Sequence, residues 1–436
     1  MIFFSRQLEE KIETDVFIAG GGPAGVAAAV AAAEQGKKVF LAEAGGCFGG
    51  SSTQALVPEM MNFDDGVNFL CGGIGRRVYD ALFSGEPALH RRWYVVRSEE
   101  IKRFYDAMIE ASGIDFLFFS KAVDVICDSG GRVTHAVLSG KKGLYAVKAK
   151  VFIDCTGEGA LCALAGAEYE YGGPNGEKAG ATLCSVWGGI DFSRKNVEFD
   201  GDMLGKAYAD GVFSQYDGLL CGIKPTDPER GIGGGNVGHC FNVDDTDEGS
   251  LTSAMLFGRK SMLEYERYYR NYLQGFENIA LEQTANVLGV RESRRVKGDI
   301  TLTLEHYKEH VTFEDEIGRY FYPIDVHPET PDSKGMENFL RNVSMQYEEG
   351  ESYCIPYRAL IPKKLDNMLV AGKCISADRY MQASVRVIPC CYITGQAAGI
   401  AAAVCADGSG AVRDTDIGEI QGRLKKFGAY LPNLKG

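Results

Sequence analysis

Two short apolar runs lie close together near the start of the chain, VFIA after Asp15 and VFLA before Glu43, and neither alternates with polar residues. Unbroken runs of this length predict strands buried on both faces, over residues 15–19 and 38–42, as in a parallel sheet. Residues 24–35 between them are alanine-rich and stop at Gly36, which predicts a helix closed by a glycine. Strand, helix and strand then make one βαβ unit.

The pattern changes further along. Residues 54–120 mix helical signals with a glycine turn at Gly72, Gly73 and Gly75, and 98–112 read as a helix. From Ile114 the runs FLFF, AVDVI, VTHAVL and LYAVKAKVFID, parted by SGG and SGKKG, predict a β-meander ending in a strand over 151–154. The sequence DCTGEGALCALAG follows, a second strand, glycine turn and helix containing Thr156, Gly157 and Gly159. Residues 251–273 predict a long helix whose Met255, Met262, Tyr265, Tyr269 and Tyr272 form a core-facing stripe.

The turn inside the first βαβ unit carries the candidate chemistry. Gly20, Gly22 and Gly25 stand in the order GxGxxG, and the second strand ends at Glu43, about 20 residues further on. The first glycine permits the tight turn, the second lets a pyrophosphate approach the backbone, and the third lets helix and strand pack closely. Helix N–H groups and the positive end of the helix dipole receive the phosphates. A carboxylate at Glu43 accepts from both ribose hydroxyls and repels an extra 2′-phosphate, so the ligand class is FAD or NAD. The run AGGCFGGSST after Glu43 is placed to wrap a dinucleotide, and Cys47 in it has no neighbouring partner cysteine and reads as inert.

A chain of 436 residues suits two domains or subdomains. Its net charge of −13 disfavours nucleic acid and anionic membrane surfaces. Thirteen cysteines without a CxxC pair suit free thiols in a reducing, cytoplasmic setting. MIFFSRQLEEKIE reads as neither a signal peptide nor a membrane span.

Together the fingerprint, the acid at the strand end, the double glycine with its hydroxyl run, the meander and DCTGEGALCALAGA resemble FAD-dependent oxidoreductases of the glutathione-reductase-like fold, in particular the family related to fumarate reductase flavoproteins. VLGVRESRRVKGDITLT (287–303) is similar to that family's middle segment, and residues 353–404, from YCIPYRALIPKKLDNMLVAGKCISADRY to TGQAAGIAAAV, to its closing one. The resemblance implies an α/β fold: a Rossmann-like three-layer ββα domain with β-meander, plus an inserted α+β substrate domain. The expected division is residues 1–181 (with a helical insert at 54–112) and 354–436 for the FAD-binding domain, and 182–353 for the substrate domain.

It also implies FAD contacts at Gly20, Gly22, Pro23, Ala24, Gly25, Glu43, Ala44, Gly49, Gly50, Ser51, Ser52, Val123, Thr156, Gly157, Gly372 and Asp378, and at Gly395, Gln396 and Ala397, where a helix starting near Thr394 aims N–H groups at the flavin ring. Two departures qualify it. Lys373 follows Gly372 where relatives often carry an acid, with Asp378 as the substitute. Ser51, Ser52 and Thr53 stand where covalently linked members use a histidine, so FAD is expected to be noncovalent.

The central part supplies substrate chemistry. GGGNVG at 233–238 lacks the strand and helix of an NAD site and reads as a pocket-lining loop and strand, with His239 and Asn242 facing the flavin. In RESRR, Arg291, Arg294 and Arg295 are candidates to clamp a carboxylate or polarise a carbonyl, and Glu292 neutralises at least one of them. Arg358, Arg379 and Arg386 are further candidates. The catalytic expectation rests on His239, Arg291 and Arg294, with no metal; His306 and His310 read as a solvated face and no cysteine cluster has iron–sulfur spacing. The activity implied is hydride transfer between a small-molecule substrate and FAD, with an electron-acceptor protein as a possible partner. A flavin monooxygenase and a non-enzymatic scaffold of the same fold are the alternatives.

Overall fold

The computed structural model describes residues 5–83, 93–194 and 201–434. Strand β1 (Glu9–Ala19) leads into helix α1 (Pro23–Glu34), and strand β2 (Val39–Ala42) returns parallel to β1 with Val16 opposite Val39. Helices α2 (Ile74–Leu82) and α3 (Ser98–Ala111) occupy the mixed stretch that follows. Then come β3 (Asp115–Leu117), β4 (Lys121–Cys127), β5 (Val133–Gly140) and β6 (Gly143–Asp154). The sheet order is β3-β2-β1-β6-β5-β4.

One expectation is corrected here. FLFF is not the first strand of the meander: β3 pairs parallel with β2, Phe40 opposite Asp115, so the meander is β4-β5-β6 alone. The cause is the preceding helix α3, which crosses over and permits a parallel return, whereas the short turns later in the chain permit only antiparallel ones.

Period two sorts the sheet's side chains into two layers. Val16, Ile18, Val39, Leu41, Val151 and Ile153 join the core that holds α1, while Phe17, Phe40 and Phe152 face the other way. On that second face Phe17 lies 6.2 Å from Phe40 and 5.9 Å from Phe152, ring centre to ring centre.

A second sheet follows in sequence. Strands β7 (Ser185–Gly188), β8 (Ile223–Asp227), β9 (Ile232–Gly235) and β10 (Ala280–Thr284) form an antiparallel sheet ordered β8-β9-β7-β10. Helix α4 (Glu248–Tyr272) shares a core with it through Met262, Tyr265, Tyr269 and Tyr272 of the expected stripe together with Tyr268, while Met255 packs in a separate cluster. The first three glycines of GGGNVG lie in strand β9. A Cβ at Gly235 would stand 2.5 Å from Trp187 Nε1 and 2.7 Å from Ser185 Oγ, so the strand's neighbours leave no room for side chains.

The chain then returns to the first sheet. Strand β11 (Met368–Val370) pairs parallel with the end of β6, Met368 opposite Phe152, and is followed by α5 (Arg379–Val385) and α6 (Ile388–Asp407). Helix α6 is long and apolar enough to cross a membrane, yet from Ile388 to Ala406 it is buried against the rest of the protein. It lies on α1, where a Cβ at Gly395 or Gly399 would overlap the carbonyl oxygens of Ala24 and Ala28. The fold is thus mixed α/β, with a Rossmann-like parallel sheet and a meander.

Candidate functional site

The turn between β1 and α1 has the geometry a pyrophosphate needs. Gly20 has φ +94°, and a Cβ there would lie 2.5 Å from the Cys155 carbonyl oxygen, because β6 ends alongside it. A Cβ at Gly25 would overlap the Gly20 carbonyl oxygen. At Gly22, the N-cap of α1, an added Cβ would meet nothing within 4 Å. Two glycines are therefore required by protein packing, and the third opens onto space beside the start of a helix. Pro23 occupies the first helical turn, where its missing N–H costs no helix bond.

The loop after β2 closes over this turn. The Gly49 N–H donates to the Gly21 carbonyl at 2.8 Å, and a Cβ at Gly50 would come 3.4 Å from Gly22 Cα. Glu43 is buried, its carboxylate accepting from Gly21 N (2.7 Å), Gly45 N (2.6 Å) and Gln54 Nε2 (3.1 Å). Ala44 lies on the same loop. Of its three hydroxyl residues only Ser51 is exposed: Ser52 donates to the Gly49 carbonyl (2.9 Å) and Thr53 to the Phe48 carbonyl (2.6 Å). The Ser52 hydroxyl, expected at the ligand, holds the loop's own turn in this structure.

Strand ends β6 and β11 bring further expected residues to this edge. Asp154 is buried and accepts from Thr156 N (3.0 Å), Thr156 Oγ1 (2.7 Å) and Cys162 N (2.8 Å), which fixes Thr156 and Gly157. Gly372 donates to Thr394 Oγ1 at 3.1 Å, and a Cβ on it would come 3.1 Å from that of Ala24. Lys373 reaches the Val290 carbonyl at 2.9 Å, joining this edge to the segment before RESRR. Val123 lies at a register shift of β4 against β5, between Ala122 and Asp124, and its side chain is exposed.

Two groups of expected residues stand differently. Asp378 caps α5 by accepting from Met381 N (2.8 Å) and also accepts from Leu304 N (2.7 Å), so both carboxylate oxygens serve the fold. Helix α6 begins at Ile388, two turns before the expected start, because Pro389 is tolerated in a first turn. Gly395, Gln396 and Ala397 are consequently interior to the helix. Gly395 makes the approach to α1, Gln396 Oε1 accepts from Ile74 N (3.0 Å) at the start of α2, and Ala397 is fully buried.

The arginines separate by partner. Arg295 pairs with Glu292 (2.8 Å), and Arg379 with Glu292 (3.1 Å) and Glu329. Arg358 pairs with Asp315 at 2.9 Å. Arg294 donates to the Glu158 carbonyl (3.1 Å), and its guanidinium lies over the Tyr169 ring. Arg291 is different. It donates to the Gly180 carbonyl (2.8 Å), Thr182 Oγ1 (2.8 Å) and Asn236 Oδ1 (3.3 Å), all neutral, and has no carboxylate within 4 Å among the described residues. Burial lowers its pKa.

Around Gly180 the structure gathers a histidine pair. A Cβ on Gly180 would lie 2.7 Å from His239 Cδ2, its carbonyl takes Arg291, and its N–H donates to the Pro328 carbonyl at 3.0 Å, next to His327. His239 Nδ1 lies 2.9 Å from both carboxylate oxygens of Asp217, and His239 Nε2 lies 2.8 Å from His327 Nδ1. His327 Nε2 faces Asp325 at 3.4 Å, and Asp325 pairs with Arg386 at 2.9 Å. His239 therefore has both ring nitrogens engaged. His327, Asp217 and Asp325 were missed by sequence reasoning. The available signal was rarity: the chain has six histidines, and one stands in Asp-Val-His-Pro.

Burial and the Arg291 charge lower the His327 pKa to about 3, against the attraction of Asp325. Burial alone would raise Asp325; the charge and hydrogen bond of His327, followed by the charges of Arg386 and Arg291, hold it down to about 2. Burial pushes Cys221, also within reach of the Arg291 charge, up to about 12. The arrangement is thus an ionised Asp325 with His327 and Arg386 in contact and the Arg291 charge acting on it from beyond ion-pair distance.

Comparison with known proteins supplies the class. The family described as FAD dependent oxidoreductase matches residues 15–424. Thiamine thiazole synthase of Methanoculleus marisnigri is 27% identical over 139 residues, 31% of this chain and 50% of that protein, so the chain spans about half the length of this curated relative. Among solved structures, a geranylgeranyl bacteriochlorophyll reductase-like protein of Thermoplasma acidophilum aligns over 95% of this chain and 83% of its own, with TM-score 0.49 and 14% identity. THI4 of Thermovibrio ammonificans aligns over 36% of this chain and 64% of its own, with TM-score 0.30 and 20% identity.

Proposed function

This chain belongs to the FAD dependent oxidoreductase family, and on that premise we propose that it transfers a hydride between a small organic substrate and noncovalent FAD. The observation that carries the reading is the pairing of an open Gly22 cradle with an Arg291 guanidinium that meets only neutral acceptors. Bound FAD supplies the two-electron chemistry.

The residues proposed to hold it are Gly20, Gly22, Pro23, Ala24 and Gly25 at the pyrophosphate, Glu43 and Ala44 at the ribose, and Gly49, Gly50 and Ser51 over them. Thr156, Gly157 and Gly372 complete the edge. A residue at a strand irregularity has backbone groups free of the ladder, which supports Val123 as an adenine contact. The helix end offered to the ring is Val387 and Ile388 rather than Gly395. Arg291 is the substrate-side cation, and His239 acts in proton movement through His327. Residues 1–181 and 354–436 are assigned to the cofactor domain and 182–353 to the substrate domain, on the ground that one sheet draws its strands from 9–154 and 368–370 and the other from 185–284. A relation to the glutathione-reductase-like fold and the fumarate reductase flavoproteins is supported by the meander between β2 and β11 and by the quoted motifs. Thirteen free cysteines support a reducing, cytoplasmic location, and electrons then leave to a small acceptor or a partner protein.

The test is the visible spectrum of the purified protein, followed by acid release of the chromophore. Released FAD is expected, and bleaching without oxygen by a substrate alone supports hydride transfer. Colour that stays with the precipitate would overturn noncovalent binding. Turnover that requires both oxygen and an added reductant would make the enzyme a flavin monooxygenase.

A further inference from the structure

The segments proposed to hold FAD contain no lysine or arginine. The turn at 20–25, the loop at 44–53 and the Thr156–Gly157 turn are uncharged, and Glu43 is acidic. The pyrophosphate of FAD is doubly negative, whereas a helix N-terminus offers about half a positive charge. In a chain of net charge −13, such a cradle leaves most of the pyrophosphate charge unanswered.

Lys373 stands at this edge. Strands β1, β6 and β11 are parallel neighbours that end at Ala19, Asp154 and Val370, so the segments after them share the crevice at the carboxyl edge of the sheet. Gly372, with φ +84°, packs on Ala24 in the first turn of α1. From the next residue the side chain crosses the edge. Lys373 Cε lies 3.3 Å from the place of a Cβ on Gly157, and the preceding Thr156 Cα lies 2.8 Å from the place of one on Gly20. The ammonium donates to the Val290 carbonyl at 2.9 Å and has no carboxylate within 4 Å among the described residues. An ammonium has three N–H donors, so two are left.

The other charged groups at this edge stand differently. Arg294 is engaged with the Glu158 carbonyl and the Tyr169 ring, and Lys121 is exposed at the start of β4. Burial raises the pKa of Glu158, Asp245 adds to this, and the charges of Lys121, Lys373 and Arg294 oppose it. Asp245 itself takes a hydrogen bond from Tyr171 at 2.8 Å. Glu158 thus acts on Lys373 from beyond ion-pair distance and shares its charge among three cations. Toward α6, burial raises the Cys391 thiol while the Lys373 and Arg386 charges lower it, so the ammonium is also within electrostatic reach of the helix end offered to the ring.

We propose that Lys373 is the counter-charge of the FAD pyrophosphate. The inference rests on the proposed Gly22 cradle and noncovalent FAD, and it adds a basic side chain to them. It gives a role to the departure from relatives at this position: an acid after Gly372 accepts hydrogen bonds, whereas a lysine donates them to phosphate oxygens and supplies charge. The Val290 carbonyl holds the ammonium in place before the cofactor arrives, which lowers the cost of ordering it on binding.

The test is FAD affinity and its salt dependence. Apoprotein, made from the holoenzyme in concentrated potassium bromide, is titrated with FAD at several salt concentrations and followed by flavin fluorescence. Lys373→Met should bind FAD about tenfold or more weakly at low salt, with a shallower salt dependence, because salt screens the charge pair that has been lost. Lys373→Arg should keep affinity to within about threefold. The midpoint potential of bound flavin should be the same in Lys373→Met as in the unaltered protein, since a charge at the pyrophosphate meets oxidised and reduced flavin alike.

Affinity and salt dependence unchanged in Lys373→Met would overturn the proposal. So would a potential that falls with the lost charge, which would put the ammonium at the ring. Should that variant not fold, the unaltered apoprotein decides the matter through trace acetylation of its lysines. ADP, which carries the diphosphate without the flavin, should protect Lys373, and adenosine should not; equal labelling in the two would refute the assignment. FAD uptake separates the two levels of argument. A protein that binds FAD without regard to Lys373 refutes this inference alone, whereas a chain that takes up no FAD refutes the cradle itself.

Discussion

Gly22 and Gly25 are three residues apart and should fail in different ways. A Cβ at Gly22 meets no protein atom within 4 Å, so Gly22→Val should fold with a melting temperature close to that of the unaltered apoprotein and yet retain no FAD, read from the flavin-to-protein absorbance ratio. At Gly25 the added carbon would overlap the Gly20 carbonyl, so Gly25→Ala should itself be destabilised by about 1–3 kcal/mol in urea unfolding. A yellow Gly22→Val protein would refute the cradle. His327 gives a pH prediction at the same scale. Its folded pKa, about 3, lies below the unfolded value of about 6.5, so the unfolded chain binds the extra proton between those values. The stability this burial contributes is full above about pH 6.5 and falls as pH drops toward 3, by about 2 kcal/mol between pH 6.5 and 5. Urea midpoints of His327→Gln should therefore fall less steeply over that interval than those of the unaltered protein, with Asp325, Arg291 and His239 present in both.

Helices α1 and α6 depend on each other's small residues. Gly395 and Gly399 are one turn apart and meet Ala24 and Ala28, also one turn apart, so the two helices approach backbone to backbone. Gly395→Ala combined with Gly399→Ala should cost several kcal/mol of stability, each by about 1–3, although alanine is the better helix former by about 1. A double variant with an unchanged urea midpoint would show that the helices can separate without loss. The pattern TGQAAGIAAAV declared a close-packed helix, but not where it starts. Val387 and Ile388 have no capping side chain and no break in hydrophobicity to mark them, and only the fold shows that the turn before α6 belongs to Arg386 and its bond to Asp325. The FLFF run failed for a related reason: an apolar strand reads the same whichever neighbour it pairs with, and its pairing with β2 depends on the crossover by α3.

The first sheet is assembled from distant parts of the chain, since β11 adds to β6 only after the second sheet has been made. A chain cut after residue 353 would lack β11 and α6 and leave the buried faces of α1 and β6 open, so it should be recovered without FAD and largely insoluble. Soluble, yellow protein from that truncation would refute the three-segment assembly. Local chemistry made the nucleotide half legible from the sequence: GxGxxG, Glu43 and the β-rich runs are constraints between near neighbours, and a turn that only glycine can make looks the same before and after folding. Glu292's neutralising role was legible too, because Arg295 is three residues away. The substrate side was not. Asp217, His239, Arg291, Asp325, His327 and Arg386 come from separate segments, each unremarkable alone, and their pairing distances, their shared burial and the wholly neutral hydrogen-bond contacts of Arg291 exist only after those segments pack around Gly180. Tertiary structure decided the site because charge and burial are properties of a neighbourhood, and the neighbourhood is made by residues far apart in the chain.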